Sequence, residues 1–191
     1  MKNNKTRKIV FTALMIALML VLQLTGVGLI KLGVINITLY CTIIAIGTLI
    51  LGWKSGVTLG AAFTAISLWS AIQAPSALVA PIIAESVPMV CLMSFLPRIL
   101  VPLVTYFLHN ALVNKKVNDK VAIAVSAAAG SLTNTILYLG LMLVGYAVTV
   151  ANYPGLLATV GSIALAAGLP EAAAAAIVST PVVLALRKIY K

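Results

Sequence analysis

Uncharged apolar runs of about twenty residues recur along the whole chain, and this feature restricts its fold more than any other. A helix needs about 20 apolar residues to cross the hydrocarbon core of a bilayer. Only 8% of the 191 residues are charged, whereas soluble domains contain about 25%. A surface this poor in charge could not face water. The runs therefore predict an all-α integral membrane protein with six transmembrane helices and short loops.

We predict one membrane domain over residues 1–191, with the N and C termini both cytoplasmic. The polar connections are too short to fold as separate domains. External loops are expected near 29–33, 74–93 and 147–166. The six spans are expected near 9–28, 34–51, 56–73, 94–113, 120–146 and 167–187.

The distribution of charge supports this topology. The basic residues lie at the ends of the apolar runs, as topology signals and contacts for anionic lipid do. With six spans, every lysine and arginine except Lys31 and Arg98 faces the side that holds both termini. A seventh span over 74–93 would move Lys115 and Lys116 across the membrane, against the positive-inside rule. No basic stripe interleaved with aromatic residues appears, so the net charge of +10 does not indicate nucleic-acid binding.

Arg98 is the polar residue that most needs an explanation. It follows Pro97, and we expect it in the first turn of the fourth span, at the outer side, because proline is favoured there. A cation at that place opposes the helix dipole and is poorly solvated, so it needs an anion. The anion could be a lipid phosphate, Glu85, Glu171 or a ligand carboxylate, which suits the guanidinium fork. An interfacial anchor or an internal ion pair remains an alternative.

Other polar side chains stand inside the apolar runs, mostly in the halves predicted to be outer. An amide at bilayer depth needs partners, because an unsatisfied one in hydrocarbon costs several kcal/mol in order of magnitude. Interhelical hydrogen bonds, aromatic anchoring or dipole complementation could each explain a single residue. Concave sites with a few convergent polar groups bind small ligands. Taken together, the polar side chains inside the apolar runs therefore predict a small-molecule site. Besides Arg98, its candidate residues are Asn134, Thr133, Tyr138, Gln73, Trp69, Asn36 and Glu171.

The chain lacks the common sequence motifs of ATPases and of hydrolytic enzymes. It has no GxxxxGK[ST] sequence for ATP hydrolysis, no HExxH and no GxSxG. His109 has no acidic or cysteine partner nearby in the sequence and is interpreted as an interfacial histidine, so we expect no catalytic residue, metal or cofactor. A ligand site without an energy source predicts a transporter subunit that is driven by another protein.

Small residues four positions apart let membrane helices approach closely. Gly52, Gly56 and Gly60 form one such series, and Ala13 and Ala17 form another in the first span. The alanine pair lies near the predicted cytoplasmic end of its helix, where a partner could dock. Packing within the monomer is the alternative interpretation.

Several stretches together resemble a known family. A basic tail leads into TALMIALMLVLQL, which contains Ala13 and Ala17, and GWKSG joins the second and third spans. With the six short spans, these resemble the S components, or substrate-binding subunits, of energy-coupling factor (ECF) transporters over nearly the whole chain. The stretches FLPRILV at 95–101 and AAAGSLTNTILYLG at 127–140 resemble the pantothenate-specific members.

The resemblance implies a vitamin importer subunit, not an enzyme, in the bacterial plasma membrane. Such a subunit binds its vitamin from outside, beneath external loops. It docks through the face of Ala13 and Ala17 on a membrane coupling protein of the EcfT type, which carries two ATPases of the EcfA type. An S component for hydroxymethylpyrimidine, pyridoxine or folate, or a stand-alone small-molecule transporter, remains an alternative. For pantothenate, Arg98 would suit the carboxylate, and the hydroxyls and amide would suit Asn134, Thr133, Gln73 and Glu171.

Overall fold

The computed structural model describes residues 4–26, 29–32, 35–150 and 155–190. In this part of the chain the protein is a bundle of helices with one short hairpin. In chain order its elements are α1 Asn4–Thr25, β1 Leu29–Leu32, β2 Ile35–Thr38, α2 Tyr40–Leu51, α3 Trp53–Gln73, α4 Ala80–Glu85, α5 Val87–Asn114, α6 Asp119–Gly145, a first π-helical turn Tyr146–Val150, α7 Leu156–Ile163, a second π-helical turn Ala164–Gly168, and α8 Leu169–Tyr190.

The length and composition of the helices are those of a membrane protein, as predicted. Among the described residues, five helical stretches are long and apolar enough to cross a bilayer. A sixth apolar helix, α2, has only 12 residues and is therefore about 18 Å long. The five long stretches are Lys5–Thr25, Trp53–Gln73, Val87–Asn114, Asp119–Thr149 and Leu156–Lys188.

The short helix α2 forms the centre of the bundle. It packs against α1, α3, α5, α6 and α8, and most of its side chains are buried. A helix that is apolar all round is expected in the interior, and α2 has this character. Its Ile44 and Ala45 are fully buried and lie in two different core clusters. The central position of α2 explains how a helix of this length can belong to a membrane bundle.

The bundle helices α1, α2, α3, α5, α6 and α8 alternate in direction along the chain, so the bundle has two ends. One of them, here called the basic end, is where α5 finishes, α6 begins and α8 finishes. There Arg187 Nη1 donates to both carboxylate oxygens of Asp119 at 2.9 Å. Arg187 Nη2 also lies 3.3 Å from His109 Nε2. These contacts tie three helices together at the basic end.

The fourth predicted span begins earlier than expected. The segment 74–93 is not a loop throughout, because it contains α4 and the first turns of α5. Pro88 stands in the first turn of α5, where a missing backbone N–H costs nothing. Pro97 lies inside α5, so the expectation that Arg98 occupies the first turn was wrong.

The second predicted span also differs. Residues expected at its start form strand β2, which pairs antiparallel with β1 so that Lys31 lies opposite Asn36. Ile35 and Ile37 are β-branched, and such residues favour strands. The helix begins only at Tyr40.

The predicted external loop 147–166 is largely helical where the structure describes it. Residues 151–154, which include Asn152 and Pro154, lie outside the described residues. From Leu156 the helix continues through the second π-helical turn into α8. Glu171, expected at the start of a span, therefore lies inside a continuous helical stretch.

Candidate functional site

A cavity of about 270 Å³ lies among the helices at the end where α1 and α3 finish and α2 begins. We call this the cavity end; it is opposite the basic end. Pockets for drug-sized ligands are typically about 300–1,000 Å³; this cavity is slightly smaller and suits a compact small molecule. Apolar side chains from several helices line it, and polar groups converge among them. The polar lining consists of Gln23, Tyr40, Ser67, Ser70, Ser76, Arg98, Asn134, Thr135, Tyr138 and Glu171.

Arg98 is the cation of this cavity, and only 5% of its surface is exposed. Its Nη1 donates to the carbonyl oxygen of Ser94, and its Nη2 donates to Ser67 Oγ at 2.7 Å. The guanidinium carbon lies 4.4 Å from the centroid of the Phe63 ring. A buried charge is tolerated only when it is paired or hydrogen-bonded, and these contacts meet part of that need. Its Nε is buried without a hydrogen-bond partner among the described residues.

The backbone around Arg98 is shaped by a proline and a glycine. Pro102 has no N–H, so the carbonyl of Arg98, four residues earlier, lacks its usual helical partner. Gly60 of α3 packs directly on that carbonyl oxygen, and a Cβ at this position would overlap it. Gly56, one turn earlier, packs in the same way against Pro102. The predicted close approach through these two glycines is confirmed, whereas Gly52 has a positive φ of 95° and open space around it.

Glu171 is the carboxylate of the same cavity. It is 5% exposed and lines the cavity with Arg98. The helix that carries it meets α6 where Gly168 packs against Thr135. The structure thus brings two opposite charges, 73 positions apart in the chain, into one largely apolar cavity.

Asn134 and Tyr138 extend the polar lining along α6. They are four residues apart and therefore share one face of the helix. The Tyr138 ring centroid lies 5.7 Å from the guanidinium carbon of Arg98. The Oδ1 atom of Asn134 is buried and has no hydrogen-bond partner among the described residues. Unsatisfied acceptors of this kind are rare in folded proteins, so a ligand donor would complete the hydrogen bonding of this amide.

The structure does not bring all the predicted site residues to the cavity. Thr133 donates to the carbonyl of Ala129 at 2.7 Å and is not part of the lining. Gln73 is exposed, and Trp69 is 63% exposed, as a side chain at a lipid or interfacial surface is expected to be. The side chain of Asn36 lies outside the described part of the structure.

Sequence reasoning missed part of the lining. The hydroxyl of Tyr40 donates to Gln23 Oε1 at 2.8 Å, and the Tyr40 and Phe63 rings lie 4.7 Å apart. With the contact between Phe63 and Arg98, this forms one wall across α1, α2, α3 and α5. A glutamine inside the apolar run of α1 was a usable signal for Gln23. The aromatic residues gave no such signal, because aromatic side chains also fill membrane cores.

His109 belongs to a second polar cluster, far from the cavity. It is 9% exposed, and its Nε2 lies 3.6 Å from Asp119 Oδ1. The sequence spacing around His109 gave no sign of this acidic partner, and the interpretation of His109 as an interfacial histidine stays a prediction. Asp119 comes from the next helix, so spacing in the sequence could not reveal the contact. Among the described residues, no three His, Cys, Asp or Glu side chains gather to hold a metal ion.

Comparison with known proteins agrees with the architecture of the chain. Residues 7–183 match the family model described as "ECF transporter, substrate-specific component". The chain is also similar to the pantothenic acid transporter PanT of Lactococcus lactis subsp. cremoris (strain MG1363). The two are 30% identical over 198 aligned positions, which cover 98% of this chain and 97% of that protein.

Proposed function

The chain belongs to the substrate-specific components of ECF transporters, and on this basis we propose that it captures pantothenate from outside the cell for an ATP-driven importer. Membership of this family makes it a transport protein of the membrane rather than an enzyme. The similarity to a pantothenic acid transporter supports the choice of vitamin.

The observation that carries the proposal is the position of Arg98 in the cavity. Pantothenate has a carboxylate, an amide and two hydroxyls on a short aliphatic frame. Charge-assisted hydrogen bonds to a guanidinium are about twice as strong as neutral ones, and burial among apolar side chains keeps water from competing. Asn134, Tyr138 and Glu171 offer partners for the amide and the hydroxyls. Phe63 and Leu139 offer apolar contacts for the frame.

The test is a thermal-shift panel of B vitamins at equal concentrations on the purified chain. A ligand that binds only the folded state at 100 times its Kd adds about 2.7 kcal/mol to the free energy of unfolding. Pantothenate is expected to raise the unfolding temperature clearly. No shift with pantothenate, together with a shift by another vitamin, would reassign the substrate. No shift with any vitamin would contradict ligand capture by this subunit.

A second candidate substrate is a neutral vitamin, and one observation favours it. Both terminal nitrogens of Arg98 already donate to protein groups, and Glu171 is in the same cavity. Such an arginine could be satisfied without a ligand anion. The panel would then identify hydroxymethylpyrimidine or pyridoxine as the substrate. Folate is an anion, and it is an alternative to pantothenate if Arg98 does bind a ligand carboxylate.

The proposal includes a partner and an energy source. As a subunit of an ECF transporter, the chain would assemble with a coupling protein of the EcfT type and two ATPases of the EcfA type. Ala13 and Ala17, both exposed on α1, would form the docking face. Vesicles that contain only this chain should not take up pantothenate. ATP-independent uptake by such vesicles would favour a stand-alone transporter.

We also propose that the chain crosses the bacterial plasma membrane six times, with both termini in the cytoplasm. The basic end would then face the cytoplasm and the cavity end the outside, in agreement with the positive-inside rule. In a variant without Cys41 and Cys91, Ser76→Cys should react with an impermeant maleimide on intact cells. Lys116→Cys should react only after permeabilisation, and the reverse pattern would contradict this orientation.

A further inference from the structure

The guanidinium of Arg98 is held on several sides by one face of α3. Ser67 accepts a hydrogen bond from Nη2 at 2.7 Å, and the Phe63 ring lies 4.4 Å from the guanidinium carbon. Gly60 packs on the backbone carbonyl of Arg98. Residues 60, 63 and 67 recur at the spacing that places side chains on one face of a helix. This face therefore contacts the backbone of Arg98, the guanidinium carbon and one terminal nitrogen of its side chain.

The role of Ser67 differs from that of the other contacts. The carbonyl of Ser94, which accepts from Nη1, belongs to the same helix as Arg98, so it restrains the side chain relative to α5 but does not link it to another helix. Phe63 contacts the guanidinium through its ring, and such a contact lacks the directionality of a hydrogen bond. Ser67 is the side chain from another helix that forms a directional hydrogen bond to Arg98 among the described residues. It therefore sets where the remaining N–H groups point.

Orientation matters because an arginine side chain is flexible. Its rotamer entropy is about 2 kcal/mol, and a ligand that must order the side chain on binding loses a corresponding part of its affinity. An arginine that is already held in place presents its free N–H groups without this loss. This effect applies to a ligand group that accepts from Arg98, and most strongly to an anion.

We propose that Ser67 is a positioning residue that orients Arg98 and so determines how strongly the cavity prefers an anionic ligand over a neutral analogue of the same shape. The inference rests on the proposed function, because it takes pantothenate as the anion. It does not require Ser67 to contact the ligand.

The experiment compares the binding of pantothenate with that of pantothenol, in which a neutral hydroxymethyl group replaces the carboxylate. Binding is measured by calorimetry on the purified chain. Ser67→Ala should lower the preference for pantothenate over pantothenol by about 3- to 10-fold, because Arg98 loses the hydrogen bond that ties its Nη2 to α3. Pantothenol binding should change little. Ser55→Ala, the same substitution on α3 but outside the cavity, serves as the control and should leave the ratio unchanged.

A matched pair of variants separates the hydroxyl from the change in volume. Ser67→Thr and Ser67→Val both introduce a side chain branched at Cβ and of nearly the same shape, but only threonine retains an oxygen for Arg98 Nη2. The threonine variant should keep a higher preference for pantothenate than the valine variant, even if both are less stable. Circular dichroism and the thermal midpoint show whether each variant is folded.

The possible results can be told apart. Equal losses for pantothenate and pantothenol would mean that Ser67 contacts the ligand itself, which would overturn the positioning role. An unchanged ratio in Ser67→Ala, or equal ratios in the threonine and valine variants, would also overturn it. Failure of the parent chain to bind pantothenate would instead contradict the proposed function, and with it the inference.

Discussion

A single buried cation determines most of the chemistry of the cavity. Burying an unpaired charge is costly, yet Arg98 is 5% exposed in a helix of a membrane bundle. Two hydrogen bonds and an aromatic ring offset part of this cost. Glu171, in the same cavity, lowers the electrostatic cost further. The arrangement resembles a site that is complete only when a small polar ligand is present.

Arg98→Ala should weaken pantothenate binding by about 10- to 100-fold, because a hydrogen bond to a charged group contributes about 1.5–3 kcal/mol. Arg98→Lys should recover only part of the loss, since an ammonium group cannot reproduce the planar fork. Calorimetry on the purified variants measures both effects. Thr58→Ala, an exposed substitution on α3, is a control for general damage. Undiminished binding by Arg98→Ala would remove Arg98 from the site.

At the residue scale, the sequence predicted about half of the candidate residues correctly. Arg98, Glu171, Asn134 and Tyr138 were predicted, and all four line the cavity. A polar side chain inside an apolar run is conspicuous because it needs a partner. Ser67 gave no comparable signal, since a serine inside a membrane helix can satisfy itself by bonding to its own backbone.

At the scale of elements, the contact between α3 and α5 positions the site. The glycine face of α3 meets α5 where prolines interrupt its ladder of backbone hydrogen bonds. Small residues permit close helix packing in membranes, and a carbonyl freed by proline can accept weak Cα–H contacts. This contact therefore places Arg98 against Phe63 and Ser67.

Gly60→Ala should destabilise the chain by about 1–3 kcal/mol, as overpacking usually does. The new Cβ would overlap the backbone carbonyl of Arg98, which cannot move without shifting α5. The variant should also bind pantothenate more weakly, because Arg98 moves with its backbone. Thermal unfolding in detergent measures the first effect. Gly140→Ala is the matched control, since a Cβ there meets nothing within 4 Å; an equal loss in both variants would contradict the packing argument.

The cluster at the basic end offers another prediction at this scale. The side chains of Arg187 and Asp119 are 32% and 46% exposed, and pairs with this exposure contribute only about 0.2–1 kcal/mol. Arg187→Met and Asp119→Asn should therefore lower the thermal midpoint slightly, and the double variant should fall short of their sum. The gap between the effect of the double variant and the sum of the two single effects should shrink in high salt. Strictly additive effects would mean that the pair contributes nothing to stability.

Helix boundaries were predicted less well than helix existence, for physical reasons that differ between elements. Hydropathy marks the long spans but cannot distinguish an apolar strand from the start of a helix, so β2 was assigned to the second span. A proline can stand in the first turn or in the interior of a helix. Pro97 was placed in the first turn, whereas Pro88 occupies that position in the structure.

At the scale of the whole molecule, the two ends of the bundle are chemically different. The cavity lies at one end, and the other carries the clustered basic residues Lys54, Lys115, Lys116 and Lys120. The charge pattern was readable in the sequence because lysine and arginine mark the ends of spans. The gathering of residues from seven helices around one cavity was not readable, since it depends on contacts between residues far apart in the chain.

The exposed face of α1 is the surface that we propose for docking of a protein partner. The apolar window of this helix is only 11% buried, and its exposed Ala13 and Ala17 are flanked by exposed Leu14 and Leu18. Lipid alone would also cover an apolar face. The small residues, however, leave room for another helix to approach closely, which lipid does not require.

Ala13→Trp should therefore prevent assembly with the coupling protein and the ATPases but leave pantothenate binding by the isolated chain intact. The indole would fill the space that a partner helix needs. The contribution of α1 to the cavity, Gln23, lies near the opposite end of the helix. Co-purification of the complex measures assembly, and calorimetry measures binding. Ala185→Trp makes the same change at an exposed position on α8 and should permit assembly. Normal recovery of the complex with Ala13→Trp would exclude α1 as the docking face, and equal loss with both variants would show only that bulk at the basic end is harmful.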